Sequence, residues 1–180
     1  NGTELSSKWS KTVINECKKI SKEISNEDIV TRRDFRSLNF VTIDGSNAKD
    51  FDDSVYAEEL SDGFRLYVAI ADVSAYVTKD SQLDKEAFSR ATSVYFEKKV
   101  IPMLPELISN QLCSLRPNED KLVLTCEIYL DNRGEIKDFE FFNSVICSKN
   151  RLTYDEVEKF YQKGQTALLD DAVNNLRILK

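Results

Sequence analysis

Two pairs of β-rich segments, each pair joined by a short turn that contains glycine, constrain the fold of this chain most strongly. The first pair is SVYAEEL and FRLYVAIADV, separated by three residues that end in Gly63. The second pair, KLVLTCEIYL and EIKDFEFFNSVIC, flanks the turn DNRG, which contains Gly134. Such a gap between two β-rich segments is typical of a hairpin. The sequence therefore predicts a twisted, mostly antiparallel sheet built from hairpins.

Helical patterns flank the hairpins, so the predicted fold class is α+β rather than alternating βαβ units. From Ser7 to Ile24, apolar residues recur every three to four positions, which is the spacing of an amphipathic helix. The polar stretch SNEDIVTRRDFRSLN predicts an extended connector. Further helices are predicted over QLDKEAFSRAT, near Leu107 after the prolines at 102 and 105, and over TALLDDAVNNLRILK.

A capping box marks the start of one more helix, in TYDEVEKFYQKG. Thr153 is the predicted N-cap, Glu156 follows three residues later, and Gly164 is the predicted stop. The last helical pattern reaches Lys180 without a stop signal. We therefore expect the chain to be part of something longer.

Composition excludes several kinds of chemistry. The 180 residues include no histidine, so Ser-His and Cys-His nucleophiles and histidine-ligated metals are excluded. The five glycines form neither a phosphate-loop nor a dinucleotide pattern, so no dinucleotide cofactor is expected. No apolar run approaches ~20 residues, and no membrane span is expected. The four cysteines are widely spaced among apolar neighbours, which favours free thiols in a reducing cytoplasm.

The chemistry that remains is that of carboxylates, and the acidic segment TIDGSNAKDFDD is the candidate site for it. Asp44, Asp50, Asp52 and Asp53 fall within ten residues. Asp44 is predicted at the end of a strand and Asp53 at the start of the next, so a short returning loop brings the carboxylates together. Hard divalent cations such as Mg²⁺ suit such ligands, and two of them serve in phosphodiester hydrolysis.

The acidic segment has two other interpretations. A calcium-binding EF-hand loop starting at Asp44 or Asp50 lacks glycine at position six and glutamate at position twelve, so that reading fails. A solvated acidic loop, balanced by Lys49 and nearby arginines, accounts for the carboxylates about equally well. On the residues alone, the choice between a metal site and a solvated loop stays open.

Some polar and aromatic residues are given structural roles. Asp72 is predicted to cap the end of a strand. Phe139, Phe141 and Val145 alternate along one segment, which predicts one face of a strand in the core. A surface connector is the predicted role of three arginines, at positions 32, 33 and 36.

The amino-acid sequences of several long motifs resemble those of one enzyme family. FVTIDGSNAKDFDDSV closely resembles the aspartate motif of the catalytic (RNB) domain of the ribonuclease II and ribonuclease R family. LYVAIADVSAYV, LDKEAFSRATSVYF, VIPMLPELISNQLCSLRPNEDKLVLTCEI and RLTYDEVEKF follow that family in order and spacing. The wording of SVYF and VIPMLPE is closer to the ribonuclease R branch. The apolar spacing predicts an N-terminal helix and lead-in over residues 1–24, and the resemblance implies the N-terminal portion of the catalytic domain over residues 25–180.

The resemblance implies a processive 3′→5′ hydrolytic exoribonuclease that acts on the 3′ end of single-stranded RNA. It would release nucleoside 5′-monophosphates with Mg²⁺, or Mn²⁺ in its place. Carried over by position, Asp44, Asp50, Asp52 and Asp53 match metal-binding aspartates; Asp52 is the one most tied to catalysis, with Asp50 beside it. Tyr95 matches an aromatic residue that stacks on a base, although the residues alone favour a core tyrosine.

The chain also departs from the family pattern. The small basic RNA-binding barrels of full-length members are absent, which agrees with the net charge of −6. The family's catalytic domain also continues beyond the part matched here, so we expect the 180 residues alone to be inactive. Proteins of RNA decay are expected partners. The alternative function is a non-catalytic member that binds RNA or protein and keeps the fold, but the presence of all four aspartates favours the enzyme.

Overall fold

The computed structural model describes residues 8–97, 99–163 and 170–180. Nine strands are assigned within them: β1 Arg33–Asp34, β2 Val41–Asp44, β3 Asp53–Leu60, β4 Gly63–Ala71, β5 Val94–Phe96, β6 Lys99–Ile101, β7 Asp120–Asp131, β8 Ile136–Cys147 and β9 Asn150–Thr153. Seven of these form one sheet in the order β1-β8-β7-β4-β3-β2-β9, and β5 pairs with β6 in a separate ribbon. The mixed architecture confirms the predicted α+β class with a large, mostly antiparallel sheet.

Both predicted hairpins are present. Strands β3 and β4 pair antiparallel from Asp53 opposite Ile70 to Leu60 opposite Gly63, and β7 pairs with β8 along almost its whole length. Gly63 has a packing role, because a Cβ atom there would lie 1.9 Å from the carbonyl oxygen of Leu130 on β7. The close approach of β4 to β7 therefore requires glycine at this position.

Two parallel pairings at the edges of the sheet were not predicted. Strand β1 runs parallel to β8, and β9 runs parallel to β2, with Val41 opposite Asn150 and Asp44 opposite Thr153. These edge strands contain only two and four residues, too few to give a β pattern in the sequence. The β2–β9 pairing matters most, because β2 ends at the acidic segment.

The helices are α1 Lys11–Cys17, α2 Asn26–Val30, α3 Gln82–Arg90, α4 Tyr154–Lys163 and α5 Asp170–Leu179, with a 3₁₀ turn at Val73–Ala75 and a short π-helix at Ile108–Leu112. The predicted capping box is confirmed, since Thr153 Oγ1 accepts from the Glu156 amide and the Glu156 carboxylate accepts from the Thr153 amide. Gly164, its predicted stop, lies outside the described residues.

Two predictions near the N-terminus were wrong. The helix expected to reach Ile24 ends at Cys17, because the Ser21 side chain bonds both backbone groups of Glu23 and so competes with helical pairing. The expected extended connector begins instead with α2, because Ser25 and Asp28 form a capping box.

The sheet has a core on each face. One core lies under α1, α3 and the π-helix and includes Phe40, Tyr67 and Ile108. The other lies under α4 and α5, whose main contacts among the described elements are with β2, β3 and β9, and includes Val41 and Leu176.

This partial cover corrects the prediction for β8. Val145 is buried as expected, but Phe139 and Phe141 are 58% and 60% exposed because neither α4 nor α5 reaches them.

Cys17 and Cys113 are buried, and all four cysteines are free thiols. Within the part of the chain that the structure describes, no helix combines the length and apolarity that a membrane crossing requires.

Candidate active site

The acidic loop, residues 44–53, connects β2 to β3. Asp44 is the last residue of β2 and Asp53 the first of β3, as predicted. A buried hydrogen bond of 2.9 Å, from Ser54 Oγ to the carbonyl oxygen of Val41, ties the two strands together beside the loop. The loop therefore begins and ends on adjacent antiparallel strands, which brings Asp44 and Asp53 towards each other.

The second half of the acidic loop is anchored by the side chain of Phe51 in the core and by backbone hydrogen bonds. Phe51 is 8% exposed in the core, and its amide donates to Ser114 Oγ while its carbonyl oxygen accepts from the Leu115 amide at 2.7 Å. The carbonyl oxygen of Asp52 accepts from the Ala71 amide at 2.8 Å. Because the backbone is held on both sides of Phe51, the carboxylates of Asp50 and Asp52 project from a fixed segment.

The four carboxylates lie close enough to influence one another. Burial raises the pKa of Asp44, and the negative charges of Asp53, Asp52 and Asp50 raise it further, against a smaller lowering by Arg151. Burial of the carboxyl group also raises the pKa of Asp53. The negative charge of Asp52 and a hydrogen bond between the two side chains raise this pKa further. Asp53 stays exposed on its outer side. The loop thus holds like charges near one another, with Asp52 and Asp53 exposed to solvent.

The donors suit a hard cation, although they do not form a ready-made coordination shell. Oδ2 of Asp44 is buried and has no hydrogen-bond partner within the protein, and carboxylate oxygens are the ligands that such cations prefer. Among the residues that the structure describes, however, no three acidic or cysteine side chains are grouped to bind one metal ion. Asp44, Asp52 and Asp53 would therefore have to come closer together before they could share an ion.

Tyr95 reaches the acidic loop from the separate β5–β6 ribbon. Its side chain is 65% exposed, so the core role favoured by the residues alone is wrong. Its hydroxyl donates a hydrogen bond of 3.0 Å to Oδ2 of Asp50. A cavity of about 240 Å³ lies beside this pair, and Asp52 and Met103 also line it. The tyrosine ring, the cavity and two of the loop aspartates therefore form one continuous surface.

Arg151 is a site residue that the sequence reasoning missed. It lies on β9, and its Nη2 donates to the carbonyl oxygens of Gly45 at 2.7 Å and Ser46 at 2.9 Å. Its guanidinium carbon lies 5.4 Å from the centroid of the Phe51 ring. Arg151 stands in the motif RLTYDEV, but more than 100 residues separate it from the loop, and no local pattern indicates the contact.

The neighbouring polar residues have structural roles. Asp72 directly follows β4, but instead of the predicted strand-end cap it is the N-cap of the 3₁₀ turn, where it accepts from the Ala75 amide; it also pairs with Arg32 at 2.6 Å. Arg32 is only 11% exposed, so its prediction as a surface residue was wrong. Arg33 pairs with Glu127, and Arg36 pairs with two aspartates, at positions 34 and 120.

Comparison with known proteins identifies the family. The family model described as the RNB domain matches residues 32–180. This chain belongs to the RNB domain family. It is 52% identical over 153 residues to ribonuclease R of Acidithiobacillus ferrooxidans, and the match covers 85% of this chain and 35% of that protein. The RNB chain therefore spans about a third of this relative's length.

Solved structures agree with this assignment. The RNB chain is similar to Mycoplasma genitalium RNase R in complex with double-stranded RNA, with a TM-score of 0.89, 39% identity, and coverage of 95% of this chain and 31% of that one. The same enzyme in complex with ribose-methylated single-stranded RNA gives the same TM-score and identity, over 27% of its chain. The RNB fold seen here is thus that of a ribonuclease R fragment.

Proposed function

We propose that this chain is part of a processive 3′→5′ hydrolytic exoribonuclease that releases nucleoside 5′-monophosphates from single-stranded RNA. The observation that carries the proposal is the placement of four aspartates on one short loop between two paired strands of an RNB domain. Relatives named ribonuclease R and the RNA complexes of a similar enzyme support it. Since the chain spans 35% of such a relative, we propose that activity requires the remainder of the enzyme.

The aspartates are the proposed cation ligands. Asp44, Asp50, Asp52 and Asp53 would hold Mg²⁺, or Mn²⁺ in its place, since carboxylate oxygens are preferred by both ions. When bound, such ions activate water and stabilise the departing oxygen of a phosphodiester. Asp52 and Asp53 are the exposed members of the set and are accessible to a phosphate. We assign Asp52 to catalysis, with Asp50 beside it.

Tyr95 is the proposed contact for the RNA 3′ end. Its exposed ring offers a surface on which any base can stack, which suits an enzyme that must hold each base in turn. The hydrogen bond from its hydroxyl to Asp50 links the stacking surface to the proposed catalytic carboxylates. A base stacked on Tyr95 would thereby bring its phosphate towards the acidic loop.

The decisive experiment compares Asp52→Asn with the matched variant Asp62→Asn in the full-length protein. Asp62 lies exposed in the β3–β4 turn, so its substitution controls for the loss of one surface charge. With labelled single-stranded RNA and Mg²⁺, we expect Asp52→Asn to lower 5′-monophosphate release by about 100-fold or more. We expect Asp62→Asn to keep full activity.

Two results would count against the proposal. An unmodified full-length protein that releases no nucleotide would refute the enzyme and favour a binding role on the same fold. Full activity of Asp52→Asn would refute the role assigned to Asp52.

We further propose a cytoplasmic location and partners in RNA decay. The four free thiols support the location, and the proposed RNA substrate supports the partners.

A further inference from the structure

Three buried polar atoms near the acidic loop lack hydrogen-bond partners. Among the side chains that the structure describes, the fully buried nitrogen and oxygen atoms without a partner are Thr42 Oγ1, Asp44 Oδ2 and Arg151 Nε. Buried polar groups in folded proteins are nearly always paired with protein or ordered water. Three exceptions in one region therefore require an explanation.

The sheet register makes these residues neighbours. In the parallel β2–β9 pairing Thr42 lies directly opposite Arg151, and Asp44, two residues after Thr42, points to the same face of the strand. This is the face on which the Arg151 guanidinium lies against the Phe51 ring. The residues that alternate with them, such as Val41 and Leu152, pack into the opposite core.

The three atoms are chemically complementary to one water molecule. The Nε–H of Arg151 is a donor, the carboxylate oxygen of Asp44 is an acceptor, and the hydroxyl of Thr42 can be either. A buried water typically makes about three hydrogen bonds to groups that would otherwise be unsatisfied. One water that accepts from Arg151 and donates to Asp44, with Thr42 as its third partner, satisfies all three residues.

We propose that Arg151 is a positioning residue for the acidic loop, and that it orients the Asp44 carboxylate through a buried water shared with Thr42. Its Nη2 holds the turn after Asp44 through the carbonyl oxygens of Gly45 and Ser46. Arg151 thus controls both the backbone and the side chain of the first aspartate. By orienting the Asp44 carboxylate, Arg151 would strengthen cation binding. This expected effect rests on the proposed function, whereas the water site does not.

The first test is a crystal structure of the metal-free protein at a resolution that shows ordered water. We expect one water within about 3.2 Å of Thr42 Oγ1, Asp44 Oδ2 and Arg151 Nε. Empty density there, or direct pairing of Arg151 Nε with Asp44, overturns the proposal. In Thr42→Val, which keeps the shape of the side chain, we expect the water to be lost or displaced.

The second test measures positioning with Arg151→Lys and the control Arg36→Lys. Arg36 likewise has two partners, but it forms ion pairs with Asp34 and Asp120, outside the acidic loop. We expect Arg151→Lys to accelerate amide hydrogen exchange at Ala48, whose amide bonds the Gly45 carbonyl oxygen, and to weaken Mn²⁺ binding in calorimetry by about 10-fold or more. Arg36→Lys should change neither quantity.

The outcomes separate the two proposals. If Arg151→Lys and Arg36→Lys have equal effects on Ala48 exchange, Arg151 has only a general structural role and the inference fails. If the unmodified protein binds no Mn²⁺, the proposed function fails, while the crystal structure and the Ala48 exchange rates still decide the inference about Arg151. A loss of overall stability shared by both variants would not imitate the local change expected at Ala48.

Discussion

The hydroxyl of Tyr95 donates a hydrogen bond of 3.0 Å to Oδ2 of Asp50, across 45 positions of the sequence. The two residues belong to different parts of the fold, since Tyr95 lies on the β5–β6 ribbon and Asp50 on the acidic loop of the main sheet. Their contact therefore fixes the exposed tyrosine ring beside the proposed catalytic carboxylates. The ring and the hydroxyl have separable roles, which substitution can distinguish.

We expect Tyr95→Ala to weaken binding of single-stranded RNA to the full-length protein by roughly 5- to 150-fold. This range corresponds to about 1–3 kcal/mol for the loss of one stacked base. Tyr95→Phe keeps the ring and loses only the hydroxyl, so its affinity should stay within about threefold of the unmodified protein. Fluorescence anisotropy with an RNA labelled at its 5′ end measures both.

Tyr154→Ala is the matched control for this comparison. Tyr154 is 63% exposed, almost the same as Tyr95, but lies at the start of α4. Its substitution should leave RNA affinity unchanged. Equal weakening by Tyr95→Phe and Tyr95→Ala would show that the hydrogen bond to Asp50, rather than the ring, determines binding.

Asp53→Asn should stabilise the metal-free protein at neutral pH. The pKa of Asp53 is raised in the folded state, so the folded protein holds this proton to higher pH than the unfolded chain does. Stability contributed by this group is present at acid pH and is lost as the pH rises through the raised value. Asparagine cannot ionise, so Asp53→Asn avoids this loss of stability at neutral pH. We therefore expect the Tm to rise by about 1–3 °C at pH 7.

The same substitution should weaken Mn²⁺ binding, because it removes a proposed ligand. Thermal unfolding in the presence of EDTA, at pH 4 and pH 7, separates the two effects: the difference between Asp53→Asn and the unmodified protein should be larger at pH 7. Asp62→Asn serves again as the control for a surface charge. A lower Tm for Asp53→Asn at pH 7 would contradict the account in which burial, followed by the charge of Asp52, raises the pKa of Asp53.

Local patterns predicted the parts of this fold that depend on neighbours in sequence. The hairpins, the position of Asp44 at a strand end and of Asp53 at a strand start, and the capping box of Thr153 all follow from a few adjacent residues. The error at Ile24 is also local, since the hydrogen bonds of Ser21 outweighed the apolar spacing. Spacing alone does not report such competition.

The parts that could not be predicted depend on long-range pairing. Arg151 reaches the acidic loop only because β9 lies beside β2, and a parallel edge strand of four residues has no sequence signature. The exposure of Phe139 and Phe141 depends on which strands α4 and α5 cover, which alternation along β8 does not reveal. The resemblance to the RNB family located the aspartates, but it assigned no partner to Arg151.

Glu127 should be essential for stability although it lies outside the site. Its side chain is 7% exposed, and its Oε1 accepts hydrogen bonds from Tyr67 at 3.1 Å and Tyr129 at 3.0 Å and pairs with Arg65 at 3.3 Å. Glu127→Ala leaves the buried Tyr67 hydroxyl without its acceptor and removes one of the two carboxylate partners of Arg65, which keeps its pair with Glu58. Leaving a buried hydroxyl unpaired costs about 1–3 kcal/mol, so we expect Glu127→Ala to lower the free energy of unfolding by about that amount.

Urea unfolding tests this expectation with a control from the opposite strand. Glu140 is the cross-strand neighbour of Glu127 but is exposed, so Glu140→Ala should change the free energy of unfolding by no more than about 0.5 kcal/mol. Glu127→Gln, which keeps an acceptor oxygen, should fall between the two. Similar midpoints for Glu127→Ala and Glu140→Ala would mean that the hydrogen bonds of Glu127 contribute nothing net.

Asn175 on α5 should couple the packing of this helix to the strands that carry the acidic loop. It is 2% exposed; its Oδ1 accepts from the Ala57 amide at 2.9 Å, and its Nδ2 donates to the carbonyl oxygens of Asn39 and Val55 at 3.2 Å. Asn175→Leu is similar in size but leaves these backbone groups unpaired, at about 1–3 kcal/mol for each buried group that water cannot reach. The adjacent Asn174 is exposed, so Asn174→Leu tests helix propensity alone.

In urea unfolding we expect Asn175→Leu to lower the free energy of unfolding by at least about 2 kcal/mol, and Asn174→Leu to leave it nearly unchanged. Amide exchange at Ala57 should accelerate in Asn175→Leu even below the unfolding transition, because that amide loses its acceptor. If Ala57 exchanges at the same rate in both variants, the side chain of Asn175 only fills space. In that case α5 is held against β3 by the apolar contacts of Ala172 and Leu176.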